Sequence, residues 1–139
     1  MDTAFLTTLH SHSRNLVFLT AAIAIVLALV AWLRTKPVNK SLRLSARIYS
    51  IVATVQLLIG IVLLVLRWND FGDGLRHRLE HAFLMLVAVG LTHMVGRFAS
   101  APVPIGARNT FFTLTASLLI ILLGVWILPQ GAAILGLGS

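Results

Sequence analysis

The chain has 139 residues, 58% of them hydrophobic and 11% charged, where a soluble domain has roughly a quarter charged. The absence of cysteine excludes disulfides, thiolate metal sites, iron–sulfur clusters and haem attachment through Cys-x-x-Cys-His. The formal charge of +7 sits mostly in short loops beside apolar runs, which matches lipid headgroups and argues against nucleic acid as a partner.

Four apolar runs are each near the length that spans a bilayer, about 20 residues. A soluble fold has no way to hide all four in a chain this short. The expected architecture is therefore all-α: a polytopic membrane protein, an up-down-up-down four-helix transmembrane bundle, with 1–139 as a single transmembrane domain.

In chain order, MDTAFLTTLHSHS reads as a short lead. Only Arg14 comes before the apolar core of the first run, while Arg34, Lys36 and Lys40 follow it, the reverse of a secretory signal, so the first span reads as retained. The spans are expected at about 9–33, 41–66, 75–98 and 109–128. Pro37 breaks the first connection, and Asn39 or Ser41 is positioned to cap the second helix. Asp70, Asp73 and two glycines mark a turn before the third helix. Two prolines and a glycine mark a loop before the fourth, and the uncharged tail after Pro129 is expected at the membrane surface. No internal repeat is visible.

Loops 1–2 and 3–4 with their flanks hold seven basic residues, namely Arg34, Lys36, Lys40, Arg43, Arg47, Arg97 and Arg108. The opposite side holds four, Arg14, Arg67, Arg76 and Arg78. Positive charge stays in the cytoplasm, so both termini are expected outside, in a bacterial cytoplasmic (inner) membrane.

Ionisable groups in a spanning segment are costly, so they mark function. The stretch Arg76 to Arg97 carries three of the five histidines (His77, His81, His93) and the only glutamate, Glu80. His10 and His12 start helix 1, and His77 and His81 start helix 3, on the same outer side. Helices 1 and 3 of such a bundle are diagonal partners. Two imidazoles approaching from opposite sides suit the axial positions of a b-type haem, whose anionic propionates want cations at that depth. The expected ligands are His12 and His81, with His10 as the substitute on helix 1. Arg14, Arg76 and Arg78 lie at that depth, and Arg14 and Arg76 are the expected propionate partners. His77 lies one turn nearer water and reads as a surface residue.

His93 is about 18 Å deeper than His81 at 1.5 Å per residue. No other usual haem ligand lies at its level, so it reads as a core histidine bonded to a hydroxyl or amide. His77-Arg78-Leu79-Glu80-His81 matches the inverted zinc-protease pattern H-x-x-E-H, yet the chain offers no second glutamate and no soluble catalytic domain. An outer Zn or Cu site using His77, His81, His10, His12 and Asp73 is a further reading. So is a cofactor-free accessory subunit of a membrane complex.

LHSHSRNLVFL in helix 1, QLLIG in helix 2 and EHAFLMLVAVGLTHMVGR in helix 3 resemble a group of small four-helix bacterial membrane proteins labelled cytochrome b-like. The resemblance covers most of the chain and rests on short motifs. It implies functional roles for His12 or His10, for Glu80-His81 and for Thr92-His93. The group tends to carry a histidine two residues before the helix 2 glutamine, where this chain has Thr54. That departure leaves the outer site intact and removes a ligand from any inner one. The function these readings imply is a haem b-binding electron-transfer subunit, not an enzyme by itself. Its expected setting is a larger respiratory or photosynthetic complex, with other membrane subunits and a membrane quinone as partners.

Overall fold

The computed structural model describes residues 3–137. The ends of the N-terminal lead and of the C-terminal tail, residues 1–2 and 138–139, lie outside the described residues. Four long helices, α1 (Thr3–Leu33), α2 (Lys40–Leu66), α3 (Leu75–Met94) and α4 (Ile105–Trp126), are followed by a short α5 (Gly131–Ile134). Each of the four segments Thr3–Leu33, Lys40–Leu66, Gly72–Phe98 and Ile105–Trp126 is long and apolar enough to cross a membrane, which marks a multi-pass membrane protein.

The helices follow one another around a ring, α1 on α2, α2 on α3, α3 on α4 and α4 back on α1, while the diagonals α1/α3 and α2/α4 touch least. This is the expected up-down bundle. Its helix bounds differ from expectation at several ends. The α1 helix starts six residues early, at Thr3, since nothing in TAFLTTLH breaks a helix and Thr7 Oγ1 bonds back to the Thr3 carbonyl (2.7 Å). The α2 helix is capped by Asn39, whose Oδ1 accepts from the Leu42 N–H (2.9 Å). The α3 helix tightens into a 3-10 turn over Val95–Phe98, and α4 starts at Ile105, directly after Pro104. Within the tail, Gly131–Ile134 form the short α5.

Side-chain size is inverted relative to a soluble bundle. Large apolar residues face outward, Leu19 at 56% and Phe83 at 64% exposure among them, while Ala21, Ala24 and Ala28 are fully buried. In hydrocarbon, helices gain nothing by hiding leucine from lipid, so small residues that admit close backbones take the interfaces. On α1 the inward row runs Val17, Ala21, Ala24, Ala28, Ala31. On α2 it includes Leu42, Ala46, Tyr49 and Ala53; on α3 Ala88, Thr92 and Val95; on α4 Ala107, Thr110, Leu114, Ser117 and Ile121. All four rows step by alternating threes and fours, the seam of a left-handed coiled coil.

Buried hydroxyls join the rows. Tyr49 and Ser117 hydroxyls meet at 2.9 Å, and Ser117 donates to the Ala88 carbonyl (2.8 Å), linking α2, α4 and α3. The Thr92 and Ser50 hydroxyls meet at 2.9 Å between α3 and α2. At the end that holds the α1–α2 connection, Trp32 packs at a tilt against Phe111 and Phe112, ring centroids 5.6 and 5.3 Å apart. Overpacking such a seam costs about 1–3 kcal/mol. Ala24→Leu is therefore expected to lower thermal stability in detergent by that amount. Leu19→Ala, on the exposed face, is expected to change it by no more than about 0.5 kcal/mol.

Candidate functional site

The inward rows change character at the end of the bundle that holds the α2–α3 turn. Two steps beyond Val17, the α1 row reaches Arg14 and His10. Beyond Ala53, the α2 row reaches Gln56 and Gly60, and beyond Met85 the α3 row reaches His81 and Arg78. These polar residues line one cavity, floored by apolar side chains such as Val17, Ala53, Val89 and Ile121. Its volume is about 190 Å³. Phe71 from the turn between α2 and α3 and Ile134 of α5 also line it.

Each histidine is held by its surroundings. His81 Nδ1 donates to the Gly124 carbonyl on α4 (2.7 Å), which leaves Nε2 as its free lone pair. His10 packs on α2 where residue 60 is glycine: a Cβ there would lie 3.0 Å from His10 Cε1. Gln56 fastens this contact. Its Nε2 donates to the His10 carbonyl (2.7 Å), and its Oε1 accepts from the Ser13 hydroxyl. The His10 ring itself is less satisfied, for Nδ1 is buried with no hydrogen-bond partner among the described residues. The same holds for Arg14 Nε.

The cavity is strongly basic. Arg14, Arg67 and Arg78 line it, and among the described residues no Asp or Glu does. Arg67 and Arg78 lie over the Phe71 ring, 5.6 and 5.2 Å from its centroid. Of these cations only Arg67 has a carboxylate partner among the described residues, Asp70 at 3.5 Å. An apolar chamber with two imidazoles and unpaired guanidiniums can take a ligand with an apolar body and an anionic group.

The other candidate residues fall elsewhere. His12 is exposed, with Nδ1 bonded to the Thr8 carbonyl (2.8 Å), and it does not line the cavity. The structure thus brings His81 together with His10, the substitute, and not with His12. Arg76 is exposed and pairs with Glu80 (2.8 Å), so Arg78 takes the cavity position expected of Arg76. His77 is exposed. Among the described residues no group of three or more His, Asp or Glu side chains is gathered to hold a metal ion, so the H-x-x-E-H pattern and the outer Zn or Cu reading lack a ligand set. His93 bonds the Thr54 hydroxyl (3.0 Å), as a hydroxyl-bonded histidine should, but it lies exposed at the bundle surface. Arg67, Gln56 and Gly60 are the cavity residues that the placement of histidines alone does not single out.

No protein-family model matches the chain, and neither a curated protein nor a solved structure matches it.

Proposed function

We propose that this chain is a haem b-binding membrane subunit that passes electrons, with His10 and His81 as the axial ligands. The observation that carries the reading is the convergence of these two histidines, from diagonal helices, on one basic and apolar cavity. The donor set fits the group. Nδ1 of His81 is occupied by a carbonyl, as is usual for metal-ligating histidine, and a buried nitrogen of His10 lacks a partner. Arg14 and Arg78 would neutralise the propionates. The chemistry that a bound haem supplies is a reversible one-electron couple, its potential set by axial ligands, burial and nearby charge.

The enclosed volume of about 190 Å³ is below the roughly 300–1,000 Å³ of pockets for drug-sized ligands. A porphyrin therefore requires the side chains that close this end of the cavity, Phe71 and Ile134 among them, to move aside. The resemblance to small cytochrome b-like proteins supports the same reading. So does the bundle itself, which has little described surface outside the spans and therefore exchanges electrons with a neighbouring membrane subunit or a quinone. The surplus of basic residues at the ends joined by loops 1–2 and 3–4 supports an orientation with both termini outside a bacterial cytoplasmic membrane.

The test is a reduced-minus-oxidised visible spectrum of detergent-purified protein expressed with haem supplied. Sharp α and Soret bands of bis-histidine character are the expected result. A flat spectrum from folded protein overturns the proposal and leaves a cofactor-free accessory subunit.

A further inference from the structure

At the opposite end of the bundle a second cavity opens between α2 and α3, with a volume of about 560 Å³. Arg43 and Arg47 line it from α2, His93 and Gly96 from α3 and its 3-10 turn, and the Ser50–Thr92 hydroxyl pair from within. Its size lies in the range of built ligand sites.

The charges at this end are one-sided. The three acidic residues among those described, Asp70, Asp73 and Glu80, belong to the other end, while seven basic residues gather here. Arg43 and Arg47 are one helical turn apart, a like-charge pair that repels on an isolated helix. Neither has a salt-bridge partner among the described residues. An anion between them relieves that repulsion and uses guanidinium geometry suited to phosphate. A neutral ligand such as a quinone ring uses neither cation.

The cavity also meets the lipid-facing surface. Ile51, one of its lining residues, is 53% exposed and continues into the apolar outer face of α2. A ligand seated here has its anionic group at the arginines and an apolar part along that face. Basic pockets between spanning helices on the cytoplasmic side bind anionic lipid headgroups. From this placement we infer that the α2–α3 cavity is a specific site for the phosphodiester headgroup of one anionic phospholipid, held by Arg43 and Arg47 with His93 and the Ser50–Thr92 hydroxyls beside it. The site is separate from the outer cavity and independent of whether a haem binds there.

Native mass spectrometry of the full chain in detergent, titrated with phosphatidylglycerol or phosphatidylcholine, tests this. One phosphatidylglycerol is expected to remain bound under conditions that strip phosphatidylcholine. Arg43→Gln and Arg47→Gln are each expected to weaken its retention about fivefold, while Arg34→Gln, outside the cavity, leaves it unchanged. Gly96→Leu fills the cavity without touching a charge, since nothing lies within 4 Å of a Cβ at that position, and it is expected to expel the lipid. Equal retention of the two lipids, or an Arg34→Gln effect equal to that of Arg47→Gln, overturns the site in favour of a diffuse basic surface. Inorganic phosphate binding alone with the same arginine dependence overturns the lipid and assigns the cavity to the free anion.

Discussion

His10→Ala is expected to remove the visible chromophore while leaving the fold nearly untouched. His81→Ala is expected to remove it at a higher cost in stability. The two differ because their rings are differently employed in the protein. Nδ1 of the His10 ring is buried with no hydrogen-bond partner among the described residues. Deleting the ring relieves a desolvated, unpaired nitrogen but also loses the ring's packing on Gly60, two opposing effects, so the change in unfolding free energy should stay within about 1 kcal/mol. The His81 ring bonds the Gly124 carbonyl, and losing that bond costs about 0.5–1.5 kcal/mol. His12→Ala removes an exposed ring bonded only within its own helix turn and should keep both the spectrum and the stability. Visible difference spectra and thermal melts of the three purified variants check this pattern. Loss of the bands in His12→Ala, with retention in His10→Ala, would reverse the ligand assignment. Retention in all three would remove the haem from this cavity.

Which of His10 and His12 faces the bundle interior was legible in the sequence, though not in the depth argument that places both at one end of the bundle. Depth along a helix is shared by near neighbours, while facing is not. The signal is the alanine row of α1. Stepping back from Ala31 through Ala28, Ala24, Ala21 and Val17 by alternating threes and fours lands on Arg14 and then His10. His12 falls off that row. The same walk on α3, from Val95 through Thr92, Ala88 and Met85, lands on His81 and Arg78 and misses His77, His93 and Arg76. A repeat of small residues at coiled-coil spacing marks the packed face in lipid, so it sorts the five histidines into two inside and three outside. The four spans and their ring order follow from run length and short connections alone, because a bilayer imposes both. The tail was not legible in that way. Its seating depends on a tertiary contact at Gly131, where a Cβ would overlap the Val125 and Trp126 carbonyl oxygens. No pattern within the tail announces that contact. The Arg14, Arg67 and Arg78 grouping likewise depends on how the turn at Phe71 folds back over the bundle end.

Gly60 offers a test of the site that leaves both histidines in place. It sits in the interior row of α2 facing the His10 ring, and the tightest neighbour of a Cβ there is His10 Cε1 at 3.0 Å. An alanine at 60 asks the imidazole to yield by a few tenths of an ångström. A valine, with two further carbons, asks for more than the ring can give while Gln56 holds the His10 backbone carbonyl (2.7 Å). Gly60→Ala should therefore fold normally, its helix preference offsetting the close contact, with bound haem shifted in its bands or potential. Gly60→Val should displace the imidazole and lose the bis-histidine spectrum, at an overpacking cost of about 1–3 kcal/mol. The readouts are the α and Soret positions, the midpoint potential and the thermal melt. Stability alone does not decide the matter, since a tightly packed interface with no cofactor predicts the same melt. The spectrum separates the cases: a graded response from glycine to alanine to valine ties the α2 surface to the His10 ligand. Bands unchanged in Gly60→Val would mean that His10 lies clear of the iron.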